Sequence, residues 1–546
     1  MACIENDFHL DEDGIVTQVR VALLAISSRH SNALGRSATA RISFSINEHN
    51  CIIIILDKML DKLPNEVLHL VFEHLATSPD FVHDDDEEQT NYHLSNWKTL
   101  VQLCKVSRQM RRVAEPLLYR HYAKPDSTQV LRGHHLFRRF LDTVLNRPEL
   151  LQYIRCLYIG AWSYKPGEYD QYEAANEPNR YLTFPDELYA TYDDYAGKSA
   201  LGDVWKEALL AGEEAAEIAL LMSLTPNLEH IEFCMPDLSL LENSAPQYYW
   251  PSLLIPSAKW DPAHHFHRLD SVMIHKRHLE TGMPASDEYG FEVDPLLLFI
   301  GLPKLKVFWV EDDNVGAYQV LPEDYPLSDK VSHLTDLTLG LSCIHPMKLI
   351  QILKRCTKLE AFDCDFQPEL EFVPGFSWNT IGEALRSSCH TLEELTLSAD
   401  MRSQLATEQE DGSEGTCVSI GSLRNFTSLR KLDVLQTTLL GFENMLDDIN
   451  LVVPALPFAE MLPSSLESLT IDLCTLTIVP YLEDMSTVLK KQFPNLKEIR
   501  LSNVDLREWD PMDDLSEAER EAVIESRKDR VKRLKEDFVK AGVQWL

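Results

Sequence analysis

At 546 residues the chain is longer than one compact core usually organises, unless that core is an elongated repeat array. Apolar residues make up 45% and charged residues 25%, enough to fold most of it. The formal charge is −35, from 51 basic and 86 acidic residues. That balance argues against nucleic acid as the main partner, because duplex binding needs Lys and Arg to neutralise phosphates.

Residues 1–58 read as a poorly ordered or mis-annotated extension, with Met59 as a candidate true start; a mobile tail or an added strand pair is the alternative. They hold two short apolar stretches, Val19–Ile26 and Cys51–Leu56, with Ser-rich polar text between. From Pro64 to Leu75 an amphipathic helix is predicted. Pro64 suits the first helical position, where no N–H is lost. Val67, Leu68, Val71, Phe72 and Leu75 fall on one stripe at helical spacing. The run Asp84-Asp85-Asp86-Glu87-Glu88 within 76–96 reads as a solvated loop, since no EF-hand spacing accompanies it. Two more helices follow, one patterned by Trp97, Leu100, Val101 and Leu103. The other is patterned by Val106, Met110, Val113 and Ala114, with Pro116 near its end.

These residues carry a resemblance. Leu63-Pro64-x-Glu66-Val67-Leu68-x-x-Val71-Phe72-x-x-Leu75 resembles the opening helix of an F-box. Leu100-x-x-Leu103-Cys104-x-Val106-Ser107-Arg108-x-Met110-Arg111-Arg112-Val113-Ala114 resembles its second half. Pro116-Leu117-Leu118-Tyr119-Arg120 is similar to the exit of many fungal F-box proteins. The acidic loop between the halves is longer than the family's. The resemblance implies an F-box over 59–122 that docks a Skp-type adaptor and, through it, a cullin-RING ubiquitin ligase. It implies adaptor contacts at Leu63, Pro64, Val67, Leu68, Val71 and Leu75, with Leu103, Val106 and Met110 shared between interface and core. Three short helices cannot bury all their apolar faces among themselves, so surplus apolar surface for a partner is expected.

A helical linker is predicted over 123–150. The region 105–140, the most basic of the chain, reads as a solvated or partner-facing surface. Beyond it the pattern apolar-x-x-apolar-x-apolar recurs ten times. The copies are Ile154/Leu157/Ile159, Leu228/Ile231/Phe233, Leu269/Val272/Ile274, Leu305/Phe308/Val310 and Leu334/Leu337/Leu339. They continue as Leu359/Phe362/Cys364, Leu392/Leu395/Leu397, Leu429/Leu432/Val434, Leu466/Leu469/Ile471 and Leu496/Ile499/Leu501. From the second copy on the spacings are 41, 36, 29, 25, 33, 37, 37 and 30 residues. Each copy ends as a short strand, and helical text lies between several of them, at Asp203–Ser223, Pro346–Cys356 and Thr380–Cys389. A strand and a helix per unit resembles a divergent leucine-rich repeat. The expected fold class is therefore α/β: an N-terminal three-helix F-box, then over 151–515 an irregular leucine-rich-repeat solenoid with a curved parallel sheet and helices on its outer face. Residues 516–546 are predicted to cap it: Ser516-x-x-Glu519 is a capping box, and Ile524, Val531, Leu534 and Phe538 form a stripe. Val543–Leu546 is the candidate last strand.

Two insertions rich in aromatic residues are candidate target contacts: Trp162, Tyr164 and Tyr169 in one, Tyr248, Tyr249 and Trp250 in the other. Packing of these loops on the solenoid is the alternative. Catalytic signatures are missing. Gly197-Lys198-Ser199 lacks the earlier Gly of a phosphate loop, and no G-x-S-x-G or H-E-x-x-H occurs. His264, His265 and His267 read as loop histidines, and the eleven scattered cysteines, with no C-x-x-C pair, as free thiols. Neither metal nor cofactor is expected. The longest purely aliphatic run, Ile52–Leu56, is far short of the roughly 20 residues of a spanning helix. With the acidic start, this places the expected protein in cytosol or nucleus, with neither membrane nor nucleic acid among its partners. The functional expectation is the substrate-recognition subunit of an SCF-type ligase, and not an enzyme; an interaction scaffold without a ubiquitin role is the alternative.

Overall fold

In every copy of the repeated pattern, the last two apolar positions fall on a parallel strand or at its end. The computed structural model describes residues 63–73, 97, 99–124, 130–160, 202–211, 213–235, 253, 261–276, 298–311, 332–342, 346–366, 378–399, 416–443, 457–502 and 516–546. The chain divides into two units, Met1–Glu232 with Tyr248–Leu253 and Phe233–Gln247 with Leu254–Leu546.

The first unit contains α1 (Asn65–Glu73), a helical stretch over 99–106, α2 (Arg108–Leu118), β1 (His121–Lys124), α3 (Val130–Asn146), β2 (Cys156–Ile159), α4 (Gly202–Ala211), α5 (Glu214–Leu224) and the start of β3 (His230–Met235). Ser107 separates the second helix from α2. It is extended, and its Oγ accepts from the Met110 N–H at 3.2 Å, satisfying an otherwise orphaned donor. β1 and β2 run parallel with Tyr122 opposite Leu157. Tyr122 then stacks on Phe140 of α3, ring centroids 4.0 Å apart, above the fully buried Phe137.

β1 is a repeat strand additional to the ten copies, and the expected F-box limit at 122 falls inside it. Lys124 stands where the pattern wants an apolar residue, which hid it. Its backbone shows what it is. The Arg120 carbonyl accepts from both Arg155 N–H and Cys156 N–H, and the Arg155 carbonyl accepts from Glu229 and His230 N–H. The same two-donor arrangement recurs in the second unit, at the carbonyls of Asp270, Lys306, Thr335, Glu360, Glu393, Arg430 and Glu467. These repeats are thus registered on their neighbours at the residue before the strand.

The second unit holds α6 (Pro262–His265), β4 (Ser271–Lys276), β5 (Val307–Glu311), β6 (Asp336–Ser342), α7 (Pro346–Arg355), β7 (Ala361–Phe366), α8 (Trp378–Leu385), β8 (Glu394–Ala399), β9 (Thr416–Cys417), β10 (Lys431–Leu435), α9 (Gln436–Leu440), β11 (Phe442–Glu443), α10 (Phe458–Met461), β12 (Ser468–Asp472), α11 (Val479–Gln492), β13 (Glu498–Leu501), α12 (Glu517–Ala541) and β14 (Gln544–Trp545). Strands β4 to β8, β10, β12, β13 and β14 pair in that order, all parallel; β9 and β11 form a separate antiparallel pair. Register aligns like with like. Phe308, Leu337, Phe362, Leu395, Leu432, Leu469 and Ile499 form one row across the sheet, each fully buried. Burial of such side chains contributes roughly 1.5–3 kcal/mol apiece, which is why the row tolerates irregular loops between strands. At the far end Leu501 is only half-buried.

The C-terminal segment adds the last strand to this sheet. Ser516 N–H donates to the Glu519 carboxylate at 2.9 Å, and Gly542, at φ +94°, ends α12. Leu534 and Phe538 are buried, while Ile524 and Val531 are half-buried. Arg530 makes a two-pronged ion pair with Glu483 of α11 at 2.8 and 2.7 Å. Trp545 then meets Phe538 edge-on as β14 pairs with β13.

Candidate functional site

Two surfaces, one in each unit, carry the candidate residues. The first is built on α1. Pro64 opens the helix, its carbonyl accepting from Val67 and Leu68 N–H. Gln109 Nε2 of α2 donates to the Leu63 carbonyl at 3.0 Å and to Asn65 Oδ1 at 3.1 Å, so the N-terminus of α1 is tied to its neighbour. Glu73 accepts from Arg120 at 3.1 Å and anchors the other end. Between these anchors the apolar residues divide by face. Leu68, Val71 and Phe72 are fully buried, with Leu103 and Met110 buried beside them in the same unit. Leu63 and Val67 are half-buried, Pro64 is exposed, and Leu70 is 46% exposed.

So the expected adaptor-contact residues separate. Leu68, Val71, Leu103 and Met110 are enclosed by the chain's own packing and have no surface to offer in this conformation. Leu63, Pro64, Val67 and the half-buried Val106 remain accessible; Leu75 lies outside the described residues. Leu70 was missed, although it stands one three-residue step of the helix beyond Val67. Trp97, 37% exposed, donates to the Leu118 carbonyl at 3.3 Å. Cys104 is held as the thiol, pushed up to about 12 chiefly by burial and then by Glu115. The candidate target contacts Trp162, Tyr164, Tyr169, Tyr248, Tyr249 and Trp250 all lie outside the described residues.

The second surface is the sheet face opposite the buried row. Register places Met273, Trp309, Thr338, Asp363, Thr396, Asp433, Thr470 and Arg500 side by side along it. One step on, Asp365 pairs in register with Ser398, and Leu435 with Asp472. Burial raises the Asp363 carboxyl above its ordinary range, reinforced by Asp365 and Asp433. Asp433 is raised by burial and by Asp472, with Arg500 acting the other way. Among the described residues no group of His, Cys, Asp and Glu has the arrangement to hold a metal ion. Cys356, Cys364 and Cys474 are buried free thiols.

Parallel strands in unbroken order, helices between several of them and an aligned apolar row define a repeat protein. The family model of leucine-rich repeat domains matches residues 136–517, and the chain belongs to that family. A search of curated proteins finds no match. The family match begins beyond α1 and α2. As a leucine-rich-repeat protein the chain carries a protein-interaction domain. No helix among the described residues is long and apolar enough to cross a membrane.

Proposed function

We propose that the chain is the substrate-recognition subunit of an SCF-type ubiquitin ligase, non-catalytic itself, acting in cytosol or nucleus. Its N-terminal helices take a Skp-type adaptor, which brings the cullin, and the open face of the repeat sheet takes the target. The observation that carries this reading is the accessible apolar surface of Val67 and Leu70 on α1, with Leu63 just ahead of the helix, on an element that Gln109 and Arg120 hold in place. Exposed apolar stripes on short anchored helices are a common way of docking a partner helix.

The experiment is co-purification of the full chain with a Skp-type adaptor and a cullin. Val67→Asp and Leu70→Asp are expected to abolish capture while leaving the fold intact, because both side chains reach solvent. Leu68→Asp is expected to unfold the unit instead. A folded wild-type chain that captures no adaptor overturns the reading. Capture of the adaptor without the cullin moves it to a scaffold with no ubiquitin role.

A further inference from the structure

Several helices of the chain place charge where the helix macrodipole favours it. Glu66 stands in the first turn of α1. Lys354 and Arg355 lie in the last turn of α7, Lys490 and Lys491 in that of α11, and Lys540 in that of α12. α2 reverses the rule. Arg108, Arg111 and Arg112 all fall in its first five residues, with no acid in the first turn and no base in the last. They share its outward face, opposite the buried Met110, Val113 and Ala114. All three are exposed, as is Lys105 just ahead of the helix.

The acids nearby do not offset them. Glu115, on the same face, is held by Arg147 at 2.9 and 3.1 Å, and Glu73 by Arg120. Arg111 Nε donates to the Cys104 carbonyl at 3.1 Å. Among the described residues Arg108, Arg112 and Glu66 make no ion pair. Gln109, between the arginines, donates to the Leu63 carbonyl and to Asn65. The cations therefore stand beside the N-terminal end of the helix that carries Val67 and Leu70.

Cations crowded at the positive end of a helix oppose folding, and they persist at a docking face where an acidic partner compensates them. We infer that this face docks a run of Asp and Glu in the same partner that covers Val67 and Leu70, an inference that rests on the reading of α1 as the adaptor surface. At a net charge of −35 the chain as a whole repels an acidic protein. A local group of arginines beside the apolar contact sets where such a partner lands and in which orientation. Guanidinium groups suit the task, because each can take a carboxylate through two hydrogen bonds.

The test uses the full chain with two probes, a purified Skp-type adaptor and a fluorescein-labelled glutamate peptide read by anisotropy. Arg108→Gln/Arg112→Gln is expected to bind both about tenfold more weakly at low salt, the difference narrowing as salt rises. Its melting temperature is expected not to fall, since the lost charges opposed the macrodipole. A charge-matched control on exposed positions of α12, Lys532→Gln/Lys535→Gln, is expected to bind like wild type. Equal losses in the two double variants, or a lowered melting temperature in the first, overturn the inference. Asp84→Asn/Asp85→Asn/Asp86→Asn/Glu87→Gln/Glu88→Gln is expected to leave binding unchanged. A gain of several-fold there shows that the chain's own acidic run occupies the arginines, and also overturns it. Adaptor capture that is lost in Val67→Asp but unaltered in Arg108→Gln/Arg112→Gln defeats this inference and leaves the ligase reading standing. A wild-type chain that takes the peptide but no adaptor defeats the ligase reading and keeps the acid-binding face.

Discussion

Arg138 of α3 closes on Glu217 of α5 through Nε, which donates to both carboxylate oxygens at 3.0 and 3.2 Å, with the Glu217 side chain wholly removed from solvent. α5 is buried nearly all round, Glu214 included, so Glu217 has no exit to water. Taking the arginine away removes the ion-pair partner of a carboxylate that is shut off from water. Arg138→Met is expected to cost about 3–5 kcal/mol, whereas Glu217→Gln, which keeps an acceptor, costs less. Hydrogen exchange resolved to β1 and β2 reads both. An Arg138→Met protein with wild-type protection in these strands shows that the pair contributes nothing.

Gly382, within α8, lies against the backbone of Ile420. A Cβ built there meets the Ile420 carbonyl oxygen at 2.3 Å and its Cγ1 at 2.9 Å. Replacing a helical glycine by alanine ordinarily gains up to ~1 kcal/mol in propensity. Here the carbonyl is fixed in a segment whose N–H bonds to Thr438 at 2.8 Å, so the clash outweighs that gain. Gly382→Ala is expected to lower stability by about 1–3 kcal/mol in thermal unfolding. A raised melting temperature contradicts the close approach.

The alternation of Leu432 and Val434, or of Leu469 and Ile471, is a local property of strands, so the ten copies were readable without neighbours. β1 was not, because Lys124 breaks the pattern and only the shared Arg120 carbonyl reveals the repeat. On α1 the apolar text marks one broad stripe, and spacing alone does not say which part faces inward. Packing against α2 decides that Leu68 and Val71 are enclosed while Leu70 is left out. The row joining Asp363 to Asp433 was equally hidden. Those residues lie 70 positions apart, and they belong together only because the strands between them pair in one register.

Buried polar groups in α9 and beside it make opposite predictions. Gln436 is fully satisfied: Nε2 donates to Thr475 Oγ1 and Thr477 Oγ1, each at 2.8 Å, and Oε1 accepts from the Thr475 N–H at 2.8 Å. Thr438, wholly buried two residues on, has a hydroxyl with no partner. Gln436→Ala leaves several groups unmatched and is expected to cost about 1–3 kcal/mol, while Thr438→Val removes an uncompensated hydroxyl at nearly constant shape and is expected to stabilise by roughly 1 kcal/mol. Urea denaturation of the two variants should move in opposite directions. Two shifts of the same sign contradict the assignment.

His121 of β1 gives the first unit a defined response to acid. Its Nδ1 is buried without a hydrogen-bond partner, and its ring stacks on Tyr158, which in turn meets His230. Burial, with Arg120 and His230 adding to it, pushes the imidazole down to about 4. The unfolded chain, with an ordinary imidazole near 6.5, therefore takes up this proton before the folded one does. The contribution of a neutral His121 is fully present above about pH 6.5, falls as the pH drops, and reaches a loss of roughly 3 kcal/mol near pH 4. His121→Phe keeps the stacked ring and removes the titration. Its melting temperature, plotted against pH between 4 and 6.5, is expected to fall less steeply than that of wild type. Parallel slopes for the two proteins mean that the imidazole is already protonated, or already solvated, in the folded chain.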